Sequence, residues 1–123
     1  MFPAAAARGV SVIARAIYAA GYLVPCPEAD ATGLRPGQLQ LRADVGRLAS
    51  TLSVDPLQVA AWFVTATAGV TTALVGTTSA RHLEQSLRYV RTRPSRDVMV
   101  QLAALAPGER RISAEPLVRQ DGR

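Results

Sequence analysis

At 123 residues the chain has room for one domain and not for two. A hydrophobic content of 49% excludes a disordered tail. The net charge of +5 rests on 14 Arg with no Lys; these Arg are scattered, and aromatics, at 5%, do not interleave with them. That pattern argues against nucleic acid as the main partner.

No stretch approaches the ~20 clean apolar residues of a membrane helix. Residues 1–27 contain no acid, which faintly resembles a transit peptide, but Arg15 interrupts the apolar run that a secretory signal needs. A cytoplasmic chain is expected. Cys26 is the single cysteine, so no intramolecular disulfide forms. It sits between Pro25 and Pro27, and with His82 the lone histidine, it reads as an incidental thiol and not as a metal ligand.

An Ala-rich helical turn opens the chain, with Gly9 as its C-cap. Residues 10–14 are short and apolar and predict a strand buried on both faces. Residues 15–24 lose strand character, and Gly21 permits a bend. Pro25, Pro27, Gly33, Pro36 and Gly37 predict a loop over 25–38. Helical periodicity resumes near Leu41, with Val45, Leu48, Ala49 and Leu52 on one face. Ser53 or Asp55 can cap the next helix, and Pro56 suits its first turn. That helix, 56–67, is apolar nearly all round and must pack against more than one layer.

Gly69 ends it, and the β-branched residues 70–75 predict a second strand. Residues 80–91 predict an amphipathic helix with Leu83, Leu87 and Val90 on one face and a Glu84–Arg88 pair on another. A last helix is expected over 96–106, with Val98, Leu102 and Leu105 inward. Residues 107–123 read as a loose polar tail.

Strands alternating with helices argue for parallel pairing and an α/β architecture. Parallel strands end on the same side of the sheet, so the loops opening at Arg15 and at Gly76 should be neighbours. Gly76, Thr77, Thr78 and Ser79 leave a strand and open a helix, where free N–H groups and the helix dipole favour an anion. The same residues suit a plain N-cap, with Thr78 or Ser79 holding the helix start. The two roles are compatible.

The run Gly9–Leu23, G-V-S-V-I-A-R-A-I-Y-A-A-G-Y-L, resembles the penultimate strand and loop of bacterial aldo-keto reductases, which often read G-V-x-V-I-A-R-V-P-L-A-S-G-L-L. The run Ala68–Leu87 resembles their last strand and cofactor loop. Between them, Leu48-Ala49 and Ser53–Ala60 fit the family's small helix followed by S-x-A-Q-x-A-L. The resemblance covers roughly residues 1–92, and three pieces in the right order make it specific.

The resemblance implies a partial (β/α)₈ barrel: residues 1–106 as the last two strand–helix units plus a C-terminal helix, and 107–123 as tail. It implies an NADP cofactor and, in the full family, hydride transfer from NADPH to aldehydes and ketones, usually without metal. The implied cofactor-binding positions are Arg15, Ala16, Gly21, Gly76, Thr77, Thr78, Ser79, His82 and Gln85. Many members carry an aromatic at the position of Arg15, stacked on the nicotinamide; one bacterial branch carries Arg there. Gly76–Ser79 would grip the adenosine 2′-phosphate, with His82 where other members often have Arg. Gln85 and Ser86 stand where Glu and Asn often approach the adenine, and Ile17-Tyr18 replaces the usual Pro-Leu.

The family's catalytic Asp, Tyr, Lys and His come from earlier strands, so no catalytic residue is expected in this chain. Tyr18, Tyr22 and Tyr89 are expected only to pack, with exposed hydroxyls. The match begins almost at Met1, as if cut from a longer barrel by a truncated gene, a late start or degeneration. Alone, the chain is expected to self-associate or to need a complementing N-terminal segment. The competing expectation is a non-enzymatic interaction module docking through its sheet edges and helix 56–67.

Overall fold

A computed structural model describes residues 2–23 and 34–105. Helix α1 (Phe2–Ala7) leads into strand β1 (Ile13–Ala14) and a 3₁₀ turn at Ala19–Gly21. Helices α2 (Pro36–Leu52) and α3 (Pro56–Ala66) follow, then strand β2 (Thr72–Ala73), helix α4 (Ala80–Arg91) and helix α5 (Arg96–Ala104). Cys26, most of the expected 25–38 loop and the 107–123 tail lie outside the described residues. No helix among the described residues is long and apolar enough to cross a membrane.

The two strands pair in parallel, with Ile13 opposite Thr72 and Ala14 opposite Ala73. Thr71 N donates to Val12 O at 2.8 Å and Leu74 N to Ala14 O at 2.8 Å. Both strands are far shorter than the expected 10–14 and 70–75. Nor is the first buried on both faces: Ile13 is 63% exposed and Leu74, just past β2, is 57% exposed. A strand takes its length and its burial from its neighbours, and among the described residues each strand has one.

Helix boundaries follow local signals more closely. Gly9, at φ +68, closes α1, with Gly9 N donating to Ala6 O and Val10 N to Ala5 O. The helix expected from Leu41 starts instead at Pro36. Pro36 is its first residue, and Gln38 Oε1 accepts from Arg35 N at 2.9 Å. A proline fits the first helical turn because that turn needs no N–H partner, so the Pro-Gly pair opened a helix where it reads as loop. Asp55 caps α3, accepting from Leu57 N at 2.8 Å, while Ser53 closes α2 in the left-handed region.

Helix α3 is the centre of the molecule. It contacts α2, α4, α5 and β2. Val59, Ala60, Ala61, Trp62 and Ala66 are buried, and Leu102 of α5 is fully enclosed against the same core as Val59. Much of the all-round apolar character is thus absorbed within the chain, while Leu57, Phe63 and Val64 stay half-buried. Trp62 Nε1 donates to Thr92 O at 2.8 Å, which ties α3 to the end of α4.

The amphipathic face of α4 differs from the expected one. Ser86 and Tyr89 are buried, whereas Leu83 and Leu87 are exposed because nothing in the described chain covers that side. No ion pair joins Glu84 to Arg88; Arg47 and Asp44 form the ion pair seen among the described residues.

Gly69, at φ +85, lets the chain turn from α3 into β2 against α1. A Cβ there would meet Phe2 Cβ and Phe2 O at 2.9 Å. Gly69→Ala is expected to cost about 1–3 kcal/mol through strain and overpacking. Gly46→Ala, in open space within α2, is expected to stabilise by about 0.5–1 kcal/mol. Urea unfolding followed by the fluorescence of Trp62, the single tryptophan, checks both.

Candidate functional site

Because β1 and β2 are parallel, the turn after Ala14 and the loop after Ala73 leave the same end of the sheet. Between them lies a cavity of about 660 Å³. Arg15, Ala16, Gly21, Gly76, Thr77, His82 and Gln85 line it, as do Tyr18, Leu57, Ser86 and Tyr89. Thr78 and Ser79 do not. The two loops expected to be neighbours therefore share one cavity.

The first loop has an unusual backbone. Ala16, Ala19 and Ala20 lie at φ 53, 53 and 54, and Gly21 at φ 89. A non-glycine residue in this region costs on the order of 1–2 kcal/mol. Ala19 N donates to Ala16 O at 2.7 Å and Gly21 N to Tyr18 O at 3.0 Å, while buried Ile17 and Leu23 pin the turn. Gly21 was foreseen as the bend. The three alanines were not, since nothing in Ala itself favours the left-handed region. Backbone strain of this kind concentrates at ligand sites.

The second loop is built by side chains. Thr77 Oγ1 accepts from Ser79 N at 3.1 Å, and Ser79 Oγ accepts from His82 N at 3.4 Å. Ser79, and not Thr78, is thus the cap of α4. Capping takes one of the helix-start donors and leaves the first amides of α4 without an intrahelical acceptor. Of the first turn of α4 it is His82 that lines the cavity, together with Arg15 from the other loop. No Asp or Glu lines the cavity. The local charge and dipoles therefore suit an anion.

One wall is a polar network that the sequence did not announce. Asp55 Oδ2 accepts from Gln85 Nε2 at 3.4 Å, and Gln85 Nε2 also donates to the Tyr89 hydroxyl. Burial, then the hydrogen bond to the Asp55 carboxylate, push Tyr89 up to about 12. Tyr18 Oη is buried with no partner. Neither phenol has the exposed hydroxyl that was expected. Tyr89 lies one turn beyond Gln85, so the i,i+4 spacing held the signal for that contact. The Asp55 link, thirty residues away in sequence, had none.

No individual curated protein gives a significant match. The family model of the aldo/keto reductases, by contrast, matches residues 1–107, nearly the whole chain. The chain belongs to the aldo/keto reductase family.

Proposed function

We propose that the chain carries the cofactor-phosphate end of an NADP(H) site, as the last two strand–helix units and final helix of an aldo-keto reductase barrel. In this reading residues 1–106 are the barrel portion, 107–123 form a polar tail, and the protein works in the cytoplasm. What supports it best is one observation: two loops separated by some sixty residues meet around a cavity that holds an Arg and a His and no carboxylate. The residues present fit a dinucleotide phosphate in charge and in donor type.

NADPH, when bound, supplies a hydride to a carbonyl carbon. The chain's own part is to bind and orient. Arg15 and Gly21 bracket the strained turn, with Ala16 setting its first left-handed step. Thr77 shapes the second loop, and His82 and Gln85 present donors from the first two turns of α4. Thr78 and Ser79 act from behind, Ser79 by fixing the helix start. The chain has no Lys, so the tetrad that the family uses on the carbonyl is incomplete here, and alone the chain binds without turning over.

NADPH binding is expected to be feeble, because the chain supplies only part of the site. Thr77→Ala combined with His82→Ala is expected to weaken NADPH about tenfold or more, and NADH less, because hydrogen bonds to charged groups are worth roughly 1.5–3 kcal/mol. Titration of both nucleotides into both proteins checks this. Micromolar NADPH affinity that survives the double change would remove this loop from the site.

A further inference from the structure

A second cavity, of about 360 Å³, is lined by Gln58, Arg81, Gln85, Arg88, Tyr89 and Thr92. Gln85 and Tyr89 also line the cavity described above, whereas Arg81 and Arg88 do not. On α4 and its C-cap, Arg81, Gln85, Arg88 and Thr92 follow the spacing i, i+4, i+7 and i+11, so they form one stripe. Gln58 meets that stripe from α3, with Gln58 Nε2 donating to Thr92 Oγ1 at 3.0 Å.

The neutral groups of this groove are satisfied from within. Thr92 Oγ1 donates to Tyr89 O at 2.9 Å, and Gln85 Nε2 serves both Asp55 and the Tyr89 hydroxyl. The two guanidiniums differ. Among the described residues neither has an ion-pair partner, although Glu84 stands one turn from each. No Asp or Glu lines the groove. Arg81 is also set against its own helix. It lies in the first turn of α4, where the dipole favours an acid, and that turn holds none. A residue that breaks a local rule in this way points to a role other than helix stability.

We propose that this groove is an anion site separate from the cavity described above, holding a small diphosphate-type anion between Arg81 and Arg88. Seven residues of helix set their backbones about 10 Å apart along the axis. A single phosphate occupies the fork of one guanidinium, whereas an anion with two phosphate groups meets both. The amides and hydroxyls of Gln58, Gln85 and Thr92 between them bring no like charge to repel it.

Inorganic diphosphate and orthophosphate are titrated calorimetrically into the full chain, into Arg81→Gln, into Arg81→Gln combined with Arg88→Gln, and into His82→Ala. The parent is expected to bind diphosphate about tenfold more tightly than orthophosphate, and the double arginine change to weaken diphosphate about tenfold or more, because bonds to charged groups are the strong ones. Arg81→Gln alone is expected to weaken it too, while melting no lower than the parent by Trp62 fluorescence, since it removes a cation from a helix start. His82→Ala, which alters the first cavity, is expected to leave diphosphate binding unchanged. A double variant that binds diphosphate as the parent does overturns the site. Binding lost in His82→Ala alone overturns it by placing the anion in the first cavity. A clear fall in the melting temperature of Arg81→Gln overturns the assignment of Arg81 by giving it a role in the fold. A parent chain that takes up no diphosphate, or takes up both anions equally, overturns the two-point site.

Discussion

At low micromolar concentration the purified chain is expected to sediment as an oligomer or larger assembly, not as a monomer. The sheet has two strands, and among the described residues their outer edges have no partner. Unpaired backbone donors and acceptors beside apolar side chains template association with another chain. Val10, Ile13 and Leu74 are exposed along the strands, and Leu83 and Leu87 are exposed on α4. Burial is worth about 25 cal/mol per Å² of apolar surface, so a few hundred Å² left in water forfeits several kcal/mol. Whole-domain stability is only ~5–15 kcal/mol, which makes that loss decisive. Ile13→Lys with Leu74→Glu is expected to shift the population toward monomer, since charges along an edge discourage pairing. Sedimentation velocity reads both proteins. A parent chain that is a compact monomer with a sharp cooperative melt would show that the core around α3 suffices, and would favour an independent module over a piece of a barrel.

How far the sequence disclosed this molecule depends on how local each signal is. Asp55 and Ser79 cap their helices through bonds to residues two or three positions on, so these helix starts were legible. The parallel pairing followed from alternation of strands and helices, and it correctly brought Arg15 and Gly76 to one cavity. Strand length and burial were not legible, because they belong to neighbours: Ile13 is an apolar residue in an apolar run and is still mostly exposed. The α4 face failed for the same reason. Leu83 and Leu87 satisfy the helical period, but the period says only that they share a face, and it is Ser86 and Tyr89 that meet the rest of the chain. The left-handed alanines are imposed by the turn and not by their own preference. The bond from Gln85 to Asp55 needed the tertiary fold before it could be seen at all.

Mixed with NADPH and simple aldehydes, the chain is expected to give no reduction above background. Carbonyl reduction needs a proton delivered to the oxygen as hydride reaches the carbon, and a positioned general acid contributes roughly 10²–10⁴-fold. The phenols that line the cavity are those of Tyr18 and Tyr89. A good donor has a pKa brought down toward the working pH, which for a phenol means a cation close by. Tyr89 goes the other way: burial and the Asp55 carboxylate push it up to about 12. It holds its proton more firmly than a phenol in water. Tyr18 lies close enough for its charge to contribute to the same upward push. The ammonium that would lower a phenol is missing, since all 14 basic residues are Arg. Turnover can be followed by loss of NADPH absorbance in the chain and in Tyr18→Phe and Tyr89→Phe. A reproducible rate that either substitution abolishes would show a catalytic phenol in this cavity and would end the reading of the chain as a binding portion only.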